Sequence, residues 1–257
     1  PTFSEYEFAA KSIGAKIIFF KTEERENFRV ELHELQKLLS QVDLVFLCNP
    51  NNPTGACLSV KELRSLVRLC ARHKTILVID EAFMDFSEAF DKDSFLQLAP
   101  KNRFLLVLRS LTKFFALPGL RIGYAAANRD LVRKISSLQY PWNINSLAQI
   151  AGSEALKDRD YIVYSREYIA KERAFLFSSL KDIKGLKAFL PSSNFIFCKL
   201  QECAVKSARV LNEKLIKRGI VVRNCGNFRG LNERFFRVAI KKRDENLKLI
   251  IALREVL

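Results

Sequence analysis

The segment from Arg109 to Gly123 holds residues suited to covalent chemistry and to phosphate binding. It reads RSLTKFFALPGLRIG and follows an apolar run of strand length. Lys113 lies among leucine, phenylalanine and alanine, where desolvation should favour the neutral amine that attacks a carbonyl. Ser110, Thr112 and Arg121 could together hold a phosphate through hydroxyl donors and a guanidinium fork. The alternative is a surface lysine whose aliphatic stem covers the loop.

Two further polar motifs also follow apolar strand-length runs. The first, NPNNPTG at 49–55, predicts a turn at the end of a strand, where α/β sheets bind ligands; an ordinary turn is the alternative. The second, VIDEAF at 78–83, ends a buried strand with Asp80, and a buried carboxylate is costly without a partner. Either Asp80 or Glu81 caps the next turn, or Asp80 pairs with a protonated pyridine nitrogen and keeps that ring an electron sink.

The elements that must position these residues alternate between short apolar strands and amphipathic helices. Predicted strands cover 16–20, 44–48, 75–79, 104–108, 194–199, 220–223 and 235–240. Predicted helices cover 31–41, 59–73, 143–156, 158–180, 204–217 and 244–256. Ser59 and Glu62 form a capping-box signature at the start of one helix. The alternation predicts an α/β fold with a mainly parallel sheet in a large domain, 1–157, followed by a smaller α+β domain, 158–257.

Composition narrows the classes of function. The 257 residues carry a formal net charge of +15, but lysine and arginine are mixed with acidic residues along predicted helix faces and no nucleic-acid-binding motif accompanies them. We therefore expect no nucleic-acid partner; a positive field would instead favour anionic ligands. Six scattered cysteines without a C-x-x-C pair, and two histidines, argue against a zinc site and for a reducing, cytoplasmic location. No apolar run reaches the roughly 18 residues of a membrane span.

The three motifs, in this order and spacing, resemble the class I/II (fold type I) aminotransferase family, and the resemblance covers essentially the whole chain. It implies a pyridoxal 5′-phosphate (PLP) enzyme with a large PLP-binding domain and a smaller domain, active as a homodimer. Lys113 would carry PLP as a Schiff base and act as the catalytic residue. The other implied cofactor contacts are Asn52 to the 3′ oxygen, Asp80 to the pyridine nitrogen, and Ser110, Thr112 and Arg121 to the phosphate.

The same resemblance implies a stacking residue and a substrate site. Phe3, in the Pro-Thr-Phe start, matches the aromatic ring over the cofactor, although a core phenylalanine is the alternative. Arg237 matches the arginine that grips the substrate α-carboxylate, and Asn194 matches a residue beside it. Arg223 and Arg229 are candidates for a substrate phosphate, with ordinary surface arginines as the alternative.

Two branches of this family act on small phosphorylated amino compounds: histidinol-phosphate aminotransferase and threonine-phosphate decarboxylase of cobalamin biosynthesis. The segments 109–124, 141–149 and 223–231 are similar to the decarboxylase. Phe83 stands where many aminotransferases have a tyrosine, and phenylalanine cannot donate a hydrogen bond. We expect decarboxylation of L-threonine O-3-phosphate to (R)-1-aminopropan-2-yl phosphate, with the aminotransferase reaction as the alternative. Arg237 suits both reactions.

The family pattern also includes residues upstream of the Pro-Thr-Phe segment. They contain a glycine-containing helix start whose backbone N–H groups bind the cofactor phosphate, and a tyrosine that reaches the partner subunit's site. Neither feature lies in the 257 residues of this sequence. On this ground we expect the chain as written to show weak or absent PLP retention and little activity.

Overall fold

The computed structural model describes residues 1–87 and 94–257. The chain folds into two compact units. Unit 1 comprises Pro1–Arg29, Asn51–Cys57 and Glu167–Leu257, and unit 2 comprises Val30–Pro50 and Leu58–Arg166. The domain boundary expected after residue 157 stays a prediction.

The described helices fall in both units. They are α1 (Glu5–Ser12), α2 (Leu32–Gln36), α3 (Val60–His73), α4 (Arg129–Ser136), α5 (Ser146–Lys157), α6 (Arg159–Lys181), α7 (Ala208–Ile216) and α8 (Arg243–Val256). Within the described residues, no helix has the length and apolar character needed to cross a membrane.

Unit 2 contains a four-stranded, mainly parallel sheet. Its strands, in spatial order, are β1 (Leu44–Cys48), β2 (Ile76–Asp80), β3 (Leu105–Ser110) and β4 (Gly123–Ala127). The first three are parallel, as predicted, and β4 runs antiparallel to β3. The sequence pattern did not predict β4, because its glycine and alanines have weak strand propensity.

The two helices that precede β2 differ in how well the sequence predicted their ends. At the start of α3, Ser59 Oγ accepts a hydrogen bond from Glu62 N at 3.3 Å, and the Glu62 carboxylate accepts one from Ser59 N at 2.7 Å. The predicted capping box is therefore confirmed. The continuous helix predicted over 31–41 is wrong: α2 ends at Gln36 and a 3₁₀ turn follows over Leu39–Gln41. After Gln36 the backbone bonds reach back three residues instead of four: Lys37 N donates to Glu34 O at 3.2 Å and Leu38 N to Leu35 O at 3.0 Å.

Unit 1 is built around an antiparallel sheet of four strands in the spatial order β5, β6, β8, β7. The strands are β5 (Leu186–Ala188), β6 (Phe195–Leu200), β7 (Arg223–Asn224) and β8 (Phe235–Ala239). Apolar side chains of this sheet, α7, α8 and the C-terminal part of α6 form one buried core. The strand predicted over 16–20 is wrong, since no described strand pairs with it and Ile18 and Phe19 remain about two-fifths exposed.

The two units correspond to a mixed α/β fold with a mainly parallel sheet and a smaller antiparallel sheet. The fold class expected from the sequence is confirmed.

Candidate active site

Asp80 and Ser110 end neighbouring parallel strands of unit 2. Since parallel strands end at one edge of a sheet, the motifs that begin at these two residues share that edge. The side chain of Asp80 accepts a hydrogen bond from Ala82 N at 2.9 Å, so this carboxylate also caps the turn after β2. The edge therefore presents a carboxylate beside the Lys113 loop.

Two hydroxyl groups meet at the start of that loop. Ser110 Oγ and Thr112 Oγ1 are 2.8 Å apart, and Thr112 N donates to Ser110 Oγ at 3.3 Å. Only one hydroxyl hydrogen is used between the two oxygens, so the other can serve a ligand. Arg121 is exposed, and its Nη1 donates to Pro118 O at 3.0 Å. The structure thus pairs two of the three predicted phosphate contacts.

Lys113 is exposed in the structure, whereas the sequence led us to expect it among apolar side chains. The apolar neighbours Leu111, Phe114 and Phe115 are buried in the protein, whereas the Lys113 side chain faces solvent. The expectation that the fold of the chain desolvates this amine is wrong. An exposed amine is nevertheless accessible to the carbonyl group of a ligand.

A buried ion cluster that sequence reasoning missed lies beneath this edge. Arg109 Nη1 is 3.1 Å from Glu81 Oε2, and the same guanidinium forms an ion pair with Asp85. Glu81 also accepts hydrogen bonds from Ser94 Oγ at 2.6 Å and from Phe95 N at 2.7 Å. The side chains of Arg109 and Glu81 are 2% and 0% exposed. One signal could have found the cluster: a lone arginine at the end of the apolar strand β3.

The cluster joins the two strand ends that carry candidate cofactor residues. Glu81 directly follows Asp80, and Arg109 directly precedes Ser110. Burial raises the pKa of the Glu81 carboxyl, although the hydrogen bonds and the Arg109 charge oppose that change. The ion pair therefore links the ends of β2 and β3 at this edge.

In unit 1, a second group of predicted residues surrounds Arg237. Its Nη1 donates a hydrogen bond to Asn52 Oδ1, and its guanidinium carbon lies 4.7 Å from the centre of the Phe195 ring. Asn194 precedes Phe195; its carbonyl accepts a hydrogen bond from Ile240 N at 2.9 Å, and its buried Oδ1 has no partner among the described residues. Burial lowers the pKa of Arg237. The structure thus brings Asn52 and Arg237 together, with Asn194 one residue from the Arg237 contact.

Arg223 lies opposite Arg237 in the pairing of β7 with β8. It donates a hydrogen bond to Asn227 Oδ1 at 3.0 Å and lies 5.6 Å from the centre of the Phe228 ring. In the part of the chain that the structure describes, neither Arg223 nor Arg237 forms an ion pair with a carboxylate. Two neighbouring guanidinium groups without acidic partners favour an anionic ligand.

The remaining two predicted residues of unit 1, Arg229 and Phe3, have environments that are common at protein surfaces. Arg229 is already paired with Glu7 at 3.0 Å and covers the Phe19 ring at 4.0 Å, so it is a weaker phosphate candidate than Arg223. Phe3 is 38% exposed and packs edge-on against Tyr6, with ring centres 5.8 Å apart. Its exposure leaves a ring face that a ligand could cover.

The groups of unit 2 fit the cofactor that the sequence resemblance implies. Asp80 offers a carboxylate for a pyridine nitrogen, Ser110 and Thr112 offer hydroxyls for phosphate, and Lys113 offers an accessible amine for an aldehyde. The pyridine nitrogen, the phosphate and the aldehyde of PLP thus each have a chemically matched side chain along one sheet edge. The roles of these residues stay predictions.

Comparisons with known proteins agree with this chemistry. Residues 1–253 match the family model "Aminotransferase class I and II". A candidate threonine-phosphate decarboxylase of Caldanaerobacter subterraneus subsp. tengcongensis is 40% identical over 99% of this chain and 68% of that protein. The histidinol-phosphate aminotransferase of the same organism is 35% identical over 100% of this chain and 69% of that protein.

A solved structure of the same family is also similar to this chain. The histidinol-phosphate aminotransferase of Clostridium acetobutylicum matches with a TM-score of 0.92 and 35% identity, covering 100% of this chain and 75% of that one. The chain belongs to the aminotransferase class I and II family, whose enzymes depend on PLP.

Proposed function

We propose that the protein carrying this chain decarboxylates L-threonine O-3-phosphate to (R)-1-aminopropan-2-yl phosphate, a step of cobalamin biosynthesis. Phe83 is the observation that carries this choice. It is buried three residues after Asp80, where many aminotransferases have tyrosine, and it cannot donate a hydrogen bond to the cofactor. The higher identity to the relative named for decarboxylation supports the same choice.

The proposal keeps the cofactor contacts that the family resemblance implies. PLP, when bound, supplies an electron sink that stabilises negative charge at the substrate Cα. Asp80 holds a proton on the pyridine nitrogen, and the hydroxyls of Ser110 and Thr112, with Arg121, bind the phosphate. Asn52 donates to the 3′ oxygen. Phe3 covers the ring.

The substrate-binding residues are cationic, as an anionic substrate requires. Arg237, with Asn194 beside it, orients the carboxylate, and Arg223 binds the substrate phosphate. The carboxylate leaves as CO₂. Lys113 Nζ then delivers a proton to Cα, which completes the replacement of the carboxyl group by hydrogen.

Histidinol-phosphate aminotransferase is the second candidate. The similarity to solved and curated proteins of that name favours it, and Arg223 and Arg237 would equally suit an anionic substrate. In that reaction Lys113 would move a proton from Cα instead of only returning one.

Product analysis separates the two candidates. The protein, with PLP in excess, is incubated with L-threonine O-3-phosphate alone and with L-histidinol phosphate plus 2-oxoglutarate. We expect aminopropanol phosphate from the first mixture and no glutamate from the second. Glutamate formation without aminopropanol phosphate would replace the decarboxylase by the aminotransferase.

A cytoplasmic homodimer completes the proposal. The six cysteines are all free, which supports a reducing compartment.

An exposed apolar patch of unit 2 supports the homodimer. The patch includes Leu138 and Trp142, and Trp142 is 97% exposed. Exposed apolar patches of this kind mark interfaces. Sedimentation velocity should show a dimer whose dissociation constant rises in Trp142→Ser; a monomer at all concentrations would contradict it.

A further inference from the structure

A side chain distant in sequence holds the turn that follows Lys113. Ala116 N donates to Lys113 O at 3.3 Å, which closes a turn with Phe114 and Phe115 at its centre. Tyr161, on α6 within unit 2, donates its hydroxyl hydrogen to Phe114 O at 2.6 Å. That carbonyl belongs to the peptide group between the two central residues. Rotation of this group is what converts one type of turn into another.

The distances show how much the turn depends on this bond. The two backbone bonds of the loop, Ala116 N to Lys113 O and Leu117 N to Leu111 O, measure 3.3 and 3.4 Å, longer than ordinary N–H···O bonds. The Tyr161 bond is short for an O–H···O pair. Ala116 also has a φ of 52°, which is unfavourable for a residue with a Cβ. The turn therefore relies on support from outside itself.

Aromatic packing keeps the Tyr161 ring in place independently of its hydroxyl. The ring centre lies 5.9 Å from that of Phe114 in an edge-on arrangement and 6.3 Å from that of Phe115 in a stacked one. Phe114 is buried and also contacts Phe86, with ring centres 5.2 Å apart. Replacing Tyr161 by phenylalanine should thus remove the hydrogen bond and keep the packing.

We propose that Tyr161 is a positioning residue for Lys113: it fixes the central peptide of the Lys113–Ala116 turn and so holds the exposed lysine in one orientation toward the cofactor aldehyde. The inference rests on the proposed function, in which Lys113 carries the cofactor. Without the hydroxyl, the Phe114 carbonyl can rotate and the lysine samples more than one orientation. A hydrogen bond of ordinary net strength corresponds to about a fivefold change in an equilibrium.

Site-specific labelling tests this role without an activity assay. The protein is mixed with PLP, reduced with borohydride after set times, digested and analysed by mass spectrometry. The readout is the labelling rate of Lys113 divided by that of Lys101, an exposed lysine of the same unit. We expect this ratio to fall about fivefold in Tyr161→Phe, since one hydrogen bond is lost. Tyr164→Phe, the same change one turn along α6, should keep the wild-type ratio.

The outcomes separate this inference from the proposed function. A wild-type protein that labels Lys113 no faster than Lys101 would refute the role of Lys113 as cofactor carrier. Preferential labelling of Lys113 that is equal in wild type and Tyr161→Phe would refute the role of Tyr161 alone. An equal fall in Tyr164→Phe would also refute it, since the effect would then belong to the helix and not to the hydrogen bond. Melting curves confirm that all variants are folded at the labelling temperature.

Discussion

Replacing Arg109 by methionine should destabilise the protein strongly, because two buried carboxylates lose their cation. At the observed 3.1 Å, the attraction between Arg109 and Glu81 is about 5 kcal/mol for an effective dielectric constant of about 20. Removing one partner of a buried pair typically costs about 3–5 kcal/mol, because the other charge stays buried. The ion pair with Asp85 adds to the loss. We expect a decrease of that size in the free energy of unfolding at pH 7.

Urea unfolding followed by circular dichroism measures this loss. With a slope of about 1–3 kcal/mol/M, the midpoint should fall by at least about 1 M. Arg103→Met is the matched control: Arg103 pairs with Asp130 at 3.8 Å, both side chains are well exposed, and such pairs contribute about 0–1 kcal/mol.

The pH dependence provides a second test of the same cluster. Burial raises the pKa of Glu81, so its contribution to stability is present below the ordinary carboxyl pKa and is lost as the pH rises through the raised one. Without Arg109 this loss of stability at rising pH should be larger, because the ionised carboxylate of Glu81 needs the cation and the protonated one does not. The penalty of Arg109→Met should therefore shrink in acid. A penalty no larger than that of Arg103→Met, or one that is unchanged in acid, would refute the reasoning.

Three further changes test other parts of the structure. In Gly123→Ala the new Cβ would lie 2.5 Å from Arg109 O; we expect a loss of about 1–3 kcal/mol, measured as a lower melting temperature, and an unchanged value would contradict the close approach. A hydrogen bond from Arg243 lowers the pKa of Glu172, so stability should fall as the pH drops through that pKa, and Glu172→Gln should flatten the melting temperature against pH. Arg237→Gln should raise KM for the substrate about tenfold or more through loss of a charged hydrogen bond, and an unchanged KM would exclude carboxylate binding there.

Features set by local sequence were predictable. Runs such as Leu44–Cys48 are apolar throughout, which predicts a strand buried on both faces, and β1 has these bounds in the structure. The burial is only partial, because Leu44 and Phe46 remain about two-fifths exposed. Ser59 and Glu62 satisfy each other across one helical turn, so the start of α3 needs no distant partner. Asp80 and Ser110 each end an apolar strand, and Lys113 follows Ser110 closely. This local order was enough to predict that the three lie at one edge of a parallel sheet.

Features set by distant contacts were not predictable. The strand β4 pairs with β3 along five positions, and at one end Gly123 leaves room for the close approach of the Arg109 carbonyl; the residues of β4 do not by themselves signal this pairing. The exposure of Lys113 depends on the inward turn of its phenylalanine neighbours. Tyr161 contacts the Lys113 loop across 47 residues of sequence, and nothing in its local pattern marks that contact.

Release of labelled CO₂ from carboxyl-labelled L-threonine O-3-phosphate tests the central claim most directly. The protein carrying this chain is assayed with excess PLP and no amino-group acceptor, beside a Lys113→Ala variant of matched melting temperature. We predict labelled CO₂ from the wild type, however slowly it forms, and none above background from the variant. Equal release from both proteins, or none from a PLP-loaded wild type, would contradict the account.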